Sequence, residues 1–247
     1  MGAREILKPV LPGEGRSDYE RYLRTDALLS LQKRPEEMVH RDELLFQTVH
    51  QSQELWLKLA TFEVETAAAL VRARDLAGAI RLLRRAVEVL ALVEPQLHML
   101  EHMSPWEYQT IRRVLGHGSG FDSPGFVRVR EVTPRLGEAF DELLDERGLT
   151  LLDLYRRGRE LEDLYQLAEL MIEWDERLIV WRFRHLKLVE RVIGGEVVGT
   201  TGIPLGTADM TPFLSKISGE FDGLFGIFFG RDGVTIGNQA YDLGLTK

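Results

Sequence analysis

Two long stretches of helical periodicity constrain the fold of this chain more than any other feature. In residues 42–71, large apolar side chains recur three, four or seven positions apart, at Leu45, Val49, Trp56, Leu59 and Phe62. Residues 160–193 repeat the pattern at Leu164, Leu167, Met171, Leu178, Trp181, Leu188 and Val192. This spacing puts each set on one face of an α-helix. The sequence therefore predicts an all-α fold, a bundle in which long helices bury these faces against each other.

Shorter sequence signals predict three further helices between the two long ones. Residues 76–103 carry a second helical pattern, which Pro95 interrupts because proline has no backbone N–H to continue the helix. The Ser-Pro-Trp-Glu sequence at 104–107 combines an N-cap serine, a first-turn proline and a capping-box glutamate, so it predicts a third helix that ends near position 115. A further helix is predicted over residues 134–147.

Both ends of the chain lack a clear period. Residues 1–17 hold several prolines and glycines and are predicted to form an irregular arm, and residues 203–247 form a tail without helical periodicity. A length of 247 residues suits one domain with a large core. We therefore expect a single α-helical domain over 1–247. No apolar stretch approaches the ~20 residues of a membrane span, and the N-terminus has no apolar leader.

Composition excludes several classes of function. The chain has no cysteine, which rules out disulfide frameworks, iron–sulfur clusters, cysteine-bound zinc and haem held by a thiolate. The net charge of -8 argues against nucleic acid as a partner, because phosphate binding requires a concentrated basic surface. We expect a cytoplasmic protein whose partner is a small molecule, with no nucleic-acid or membrane partner.

Two of the six histidines lie inside the long helical patterns. His50 and His185 both have apolar neighbours one or two turns away. A lone histidine in a helix is most often a packed or surface residue. The same placement also supplies proximal haem ligands, because a helix fixes the direction of the imidazole. The residue pattern by itself leaves both interpretations open.

A second pair of histidines matches a zinc-protease pattern. His98-Met-Leu-Glu-His102 fits H-x-x-E-H, which in a helix would put both histidines on one face. No third ligand can be identified from the sequence, and so short a pattern arises by chance in charged helices. A polar helix face is the favoured interpretation, with a zinc hydrolase as the alternative.

A candidate pocket edge follows the Ser-Pro-Trp-Glu helix start. Tyr108 and Arg112 are one turn apart and share a face, and an arginine side chain can hold a carboxylate through two parallel hydrogen bonds. The loop at 116–120, Gly-His-Gly-Ser-Gly, lets the backbone approach a ligand closely and carries Ser119. A surface arginine remains the default interpretation of the pattern alone.

Four blocks of the sequence together resemble haem-dependent tryptophan 2,3-dioxygenases. The likeness covers most of residues 18–202 and keeps its spacing within each block. The blocks are YERYL at 19–23 followed by LLS at 28–30, HRDELLFQTVHQSQELW at 40–56, WEYQTIRRVLGHGSGFDS at 106–123, and WRFRHLKLVERVIG at 181–194 followed by Gly-Thr at 199–200. The resemblance implies a helical bundle around a b-type haem that is active in its ferrous form. It also implies dioxygen as co-substrate and cleavage of the tryptophan indole ring to an N-formylkynurenine-type product.

The resemblance assigns roles to residues that match the family's motifs. It implies that His185 is the proximal haem ligand and that His50 is the distal histidine, near the indole N–H. Phe46 would form a wall of the indole pocket. Tyr108 would shape that pocket, and Arg112 would clamp the substrate carboxylate.

Further roles follow from the other blocks. Ser119 would lie close to the haem and the oxygen site, and Thr200 would lie in a loop that closes over the amino-acid group of the substrate. Tyr19, Tyr22 and Leu23 would reach the active site of a neighbouring subunit. The resemblance therefore implies a homotetramer with shared pockets.

The chain departs from the family pattern around the substrate lid. Gly118 and Asp122 stand where the family usually has serine and glutamine, and residues 201–204 replace a longer Gly/Ser-rich loop. These changes leave two alternatives open on the same scaffold. One is mono-oxygenation of a tryptophan derivative, such as β-methyl-tryptophan, to an oxindole in secondary metabolism. The other is a haem sensor or carrier, although a carrier has no use for a carboxylate clamp.

Overall fold

The computed structural model describes residues 8–118 and 120–193, and all regular secondary structure in these ranges is helical. The α-helices there are α1 (Asp18–Leu23), α2 (Thr25–Leu29), α3 (Glu43–Arg72), α4 (Leu76–Val93), α5 (Leu97–Leu100), α6 (Pro105–Arg112), α7 (Pro124–Glu146), α8 (Leu151–Arg156) and α9 (Glu162–Ile193). The predicted all-α fold is confirmed. None of the helices in these ranges combines the length and the apolar character that crossing a bilayer requires.

Helices α3, α4, α7 and α9 build the main core. Helix α3 packs against α4 on one side and α7 on the other, and α9 packs against α4. Their inward faces carry the fully buried Leu57, Leu83, Leu136, Leu167 and Trp174. The stripe predicted for α9 is buried at Leu164, Leu167, Met171 and Leu178. On α3 the predicted stripe is wrong at Trp56 and Phe62, which are 37% and 65% exposed, because the core partners of α3 select the face that carries Leu57, Ala60 and Val64. The Trp174 indole N–H donates to Thr133 Oγ1 at 3.0 Å, so the one polar group of this ring is paired inside the core.

Close contact between α3 and α7 requires a glycine. A Cβ placed on Gly125 would lie 2.7 Å from Leu57 Cβ and 2.8 Å from a carboxylate oxygen of Glu54. The same Glu54 carboxylate accepts hydrogen bonds from Ser123 Oγ and, at 2.8 Å, from the backbone N–H of Gly125. A side chain of α3 therefore caps the N-terminus of α7, and the missing side chain at Gly125 lets the two helices approach.

Helix α7 begins ten residues earlier than the pattern predicts. The prediction started it at Pro134, but the structure starts it at Pro124, with Ser123 as N-cap and Pro134 inside the helix. A proline within a helix removes one backbone hydrogen bond. Burial of Val129, Val132 and Leu136 against the core offsets that loss, which is a tertiary effect that the local pattern does not show.

The predicted break at Pro95 is confirmed. Helix α4 ends at Val93, and a 3₁₀ turn over Glu94–Gln96 leads into the four-residue helix α5. Helix α6 starts with the predicted capping box, in which Ser104 and Glu107 bond each other's backbone, but it ends at Arg112 and not near position 115.

A second, smaller core lies beside the first and supports the predicted site. It joins α3, α5, α6 and α9 through buried residues at Val49, Leu97, Leu100, Met103, Ile111, Leu188 and Val192. Phe46, Tyr108 and Trp181 pack against this cluster while remaining partly accessible to solvent. It therefore holds the first turns of α3, the helix α6 and the C-terminal half of α9 in one place.

Candidate functional site

The site residues predicted on separate blocks of the sequence come together at this smaller core. Phe46 and His50 lie one turn apart on α3, with ring centroids 4.1 Å apart. The Phe46 ring also faces Tyr108 of α6, at a centroid distance of 6.2 Å. His185 approaches from α9. Three helices that are far apart in the sequence thus contribute side chains to one site beside the smaller core.

His50 is held by its own helix. Its Nδ1 lies 2.7 Å from the carbonyl oxygen of Phe46, and a carbonyl can only accept a hydrogen bond. The neutral ring therefore carries its proton on Nδ1 and leaves Nε2 as an acceptor. The side chain keeps contact with solvent, but desolvation by the surrounding protein lowers its pKa, against smaller opposing effects of the Phe46 carbonyl and the Glu54 carboxylate. His50 is thus neutral at neutral pH.

His185 is a neutral imidazole as well. Burial, together with the smaller effect of the nearby His50, lowers the pKa of His185 to about 4, because burial disfavours the charged ring and two positive imidazoles would repel each other. The two histidines are therefore close enough to share an electrostatic environment. Within residues 8–118 and 120–193, no side chain or backbone group hydrogen bonds to the His185 ring.

The glycine-rich loop after α6 reaches His185. A Cβ placed on Gly120 would lie 3.8 Å from both Cε1 and Nε2 of the His185 ring. Glycine leaves this space beside Nε2 open, where any other residue would place a carbon. The loop therefore lies beside the His185 ring.

Arg112 gives the site a positive charge. The side chain is partly buried, and in the described part of the chain it has no carboxylate partner and no hydrogen bond. Burial raises the pKa of Tyr108, and the Arg112 guanidinium opposes this effect, so the two groups lie near each other. A partly desolvated guanidinium without an anion is suited to bind one.

Two predicted residues lie outside the described part of the chain, and three lie away from the cavity. Ser119 and Thr200 belong to the first group. Tyr19, Tyr22 and Leu23 lie on α1 with 69%, 78% and 46% of their surface exposed. Within this chain they do not contribute to the cavity around His50 and His185.

Three residues near the site were not predicted as functional from the sequence. Trp181 stacks on the His185 imidazole, Phe126 packs against Trp181, and Glu54 anchors the turn that carries Phe126. Trp181 and His185 are four residues apart in a helical pattern, which was the available signal. The contact with Phe126 depends on how α7 meets α9 and has no local signal.

The zinc-protease pattern is not on one helical face. Helix α5 ends at Leu100, so His98 is helical while His102 lies in the following turn. His98 Nδ1 lies 3.4 Å from a carboxylate oxygen of Glu101. Within residues 8–118 and 120–193, no three His, Asp or Glu side chains are arranged to hold a metal ion.

A separate groove of about 580 Å³ lies between α4, α8 and α9. None of the predicted site residues lines it. Its walls are formed by Arg84, Tyr155, Tyr165, Gln166, Glu169, Leu170, Ile172, Glu173, Glu176, Arg177 and Val180. Its acidic side chains are partly paired, since Glu169 accepts from Tyr155 and Glu173 from Arg177. The groove carries none of the predicted site residues, so the side chains around His50 and His185 are the better guide to function.

Comparison with known families gives a match over the first helices. The model of the family described as tryptophan 2,3-dioxygenase matches residues 8–143, more than half of the chain. The matched range contains Phe46, His50, Tyr108 and Arg112, and it ends before α9 begins.

Curated relatives extend the likeness. The chain is 32% identical to a tryptophan 2,3-dioxygenase of Erythrobacter litoralis, over 75% of this chain and 90% of the relative. It is 32% identical to the enzyme of that name from Xanthomonas campestris pv. campestris, with 78% and 84% covered. A Bacillus anthracis tryptophan 2,3-dioxygenase is 31% identical, with 74% and 83% covered.

Proposed function

Because this chain belongs to the tryptophan 2,3-dioxygenase family, we propose that it is a haem-dependent oxygenase that inserts dioxygen into the indole ring of L-tryptophan or a close derivative. The observation that carries the proposal is that His50 of α3 and His185 of α9, more than a hundred positions apart in the sequence, lie near each other, with Phe46 in ring contact with His50 and Gly120 beside the His185 ring. The Arg112 guanidinium lies near Tyr108 at the same site and has no carboxylate partner within the described residues.

The described residues fit a haem. The His185 ring is neutral and makes no hydrogen bond within residues 8–118 and 120–193, so the lone pair of its unprotonated nitrogen is free for iron. Gly120 leaves space beside Nε2 of that ring, and Phe46 offers a flat apolar surface nearby. His185 would hold the iron as the proximal ligand. When bound, the haem supplies the iron chemistry that activates dioxygen.

His50 would orient the indole. With its proton held on Nδ1 by Phe46, its Nε2 can accept a hydrogen bond from the indole N–H. This contact would fix the orientation of the indole, so that its C2–C3 bond always faces the same way. Phe46 would form one wall of the pocket. Ser119, which lies outside the described residues, would add a hydroxyl close to the haem and the oxygen site.

Arg112 would fix the amino-acid end of the substrate. Its planar guanidinium can donate two parallel hydrogen bonds to a carboxylate. Tyr108 lies beside this clamp. Holding the carboxylate would keep the indole at a constant distance from His50 and His185, so that the reacting groups are already positioned for reaction. Thr200, also outside the described residues, would close over the substrate ammonium and carboxylate and exclude water.

The exposed apolar face of α1 supports a role for a second copy of the chain. Tyr19, Tyr22 and Leu23 expose large apolar or aromatic surfaces close together, and such surfaces mark interaction sites. We propose that they complete the active site of a neighbouring subunit in a homotetramer. We further propose that residues 1–247 form one haem-binding domain that works in the cytoplasm.

Aerobic turnover of L-tryptophan and β-methyl-tryptophan by the ferrous enzyme tests the proposal. With labelled dioxygen, ring cleavage adds two labelled oxygens and opens the ring. The alternative, mono-oxygenation to an oxindole, adds one oxygen and keeps the ring closed; the altered loop at 201–204 is the feature that favours it. A purified chain that stays colourless when supplied with haemin would contradict both.

A further inference from the structure

Trp181 lies face to face with the predicted proximal histidine. Its ring and that of His185 have centroids 4.9 Å apart and planes only 8° from parallel. The two residues are four positions apart on α9 and therefore lie on one face of the helix. A parallel indole face restricts rotation of the imidazole about its side-chain bonds, because turning the ring would drive it into the indole.

The described residues lack the hydrogen bond that usually fixes the orientation of a metal-binding imidazole. Metal-binding histidines almost always donate their second ring N–H to a carboxylate or a carbonyl, which sets the ring orientation. Within residues 8–118 and 120–193, no acceptor contacts the His185 ring. Within these ranges, packing against Trp181 is therefore the contact that can hold the plane of the His185 ring.

Trp181 is itself held by packing. Its indole N–H is buried without a hydrogen-bond partner in the described residues, so no polar contact positions the ring. Phe126 packs on it instead, with centroids 4.0 Å apart and planes at 36°. Phe126 is 8% exposed and lies in the first turn of α7, which the Glu54 carboxylate ties to α3.

We propose that Trp181, backed by Phe126, is a positioning residue that sets the orientation of the His185 imidazole on the haem iron. This inference rests on the proposed haem-dependent function. The three rings pack in a row from the N-terminus of α7 to the proximal position, with Phe126 tilted against Trp181 and Trp181 nearly parallel to His185. Since Glu54 is one turn from His50 on α3, the same packing also fixes the proximal ring relative to the helix that carries the distal histidine.

Three variants test the proposal in the haem-loaded full chain. Trp181→Phe keeps a flat ring, and Trp181→Leu keeps an apolar side chain without one. Phe183→Leu is the control, because it removes an exposed ring on the same helix, one that Lys187 Nζ covers at 5.6 Å. The readouts are the iron–histidine stretching band of the ferrous haem by resonance Raman spectroscopy and the rate of haem transfer to apomyoglobin.

The expected result separates the variants. Trp181→Leu broadens or shifts the iron–histidine band and speeds haem loss about two- to tenfold, the range that an aromatic pair contributes. Trp181→Phe and Phe183→Leu stay close to the wild type. If Trp181→Leu does not fold by circular dichroism, Phe126→Leu takes its place, with the same expected direction and a smaller size.

Two outcomes contradict the inference in distinguishable ways. An unchanged band and an unchanged rate of haem loss in the leucine variant would show that stacking does not orient the ring, while the haem function stands. A wild-type chain that takes up no haem would overturn the proposed function and this inference with it.

Discussion

The Nδ1 atom of His50 lies 2.7 Å from the carbonyl oxygen of Phe46, one helical turn earlier on α3. This contact assigns the neutral tautomer without reference to any ligand, because only a protonated Nδ1 can donate to a carbonyl. The same helix that places the imidazole at the cavity thus also decides which of its nitrogens can act on a substrate.

A His50 variant should therefore lose activity only toward substrates with an indole N–H. We expect His50→Ala to lower kcat/KM for L-tryptophan about 10- to 100-fold, as for the loss of a hydrogen bond worth roughly 1.5–3 kcal/mol. Steady-state kinetics with tryptophan methylated on the indole nitrogen supply the comparison. An equal loss toward the methylated substrate would exclude the proposed contact.

Activity should also fall on the acid side of neutrality. The surrounding protein lowers the pKa of His50 below its usual value near 6.5, so the ring is neutral above that pH and gains a proton only as the pH falls below it. Protonation puts a hydrogen on Nε2, which then can no longer accept one. The profile of kcat/KM against pH should show this acid limb, and the His50→Ala variant should lack it. The same acid limb in the wild type and in His50→Ala would contradict the role of His50.

Replacement of His185 should remove haem or its normal ligation. We expect His185→Ala to lose most bound haem or to show a changed ferrous absorption spectrum, since no second axial ligand is predicted on that side. His98→Ala is the matched control, because His98 is exposed and belongs to the rejected zinc pattern. Haem and zinc content are measured on all three proteins. Full haem content with an unchanged ferrous spectrum in His185→Ala would refute the assignment.

Removal of the Arg112 guanidinium should weaken substrate binding. We expect Arg112→Ala to reduce affinity by about 2–5 kcal/mol, as for a desolvated charge pair that loses one member. The neighbouring Arg113 is exposed, so Arg113→Ala should change KM little. Equilibrium titration of the haem absorption band with substrate gives both affinities. Equal affinities in the two variants would argue against a carboxylate clamp.

Gly125 should be intolerant of any side chain. In Gly125→Ala the new carbon would meet Leu57 Cβ at 2.7 Å, which forces α3 and α7 apart and costs about 1–3 kcal/mol. Gly158→Ala is the control, because its new carbon would make an ordinary contact of 3.4 Å with Tyr165. Urea unfolding measures the free energy of unfolding of both variants. Equal free energies of unfolding would mean that the α3–α7 contact can relax.

The long helices and the start of α6 could be predicted from the sequence, because their signals lie in neighbouring residues. Helices α3 and α9 follow from apolar spacing, and the start of α6 follows from the capping box of Ser104 and Glu107. The prediction that α7 starts at Pro134 was wrong. A proline marks the end of a helix only where local backbone hydrogen bonding determines where the helix begins. Here the burial of neighbouring residues in the core decided, and burial depends on partners elsewhere in the chain.

The sequence by itself determined the helical class, the absence of thiolate chemistry, and the residues that resemble a haem dioxygenase. These depend on periodicity and residue type, which are properties of neighbours along the chain. Only the tertiary structure decided that His50 and His185 share an environment, that Gly120 lies beside His185, and that Phe126 and Trp181 stack behind that ring. Those relations depend on how α3, α7 and α9 pack, and packing joins residues whose separation in sequence carries no periodic signal.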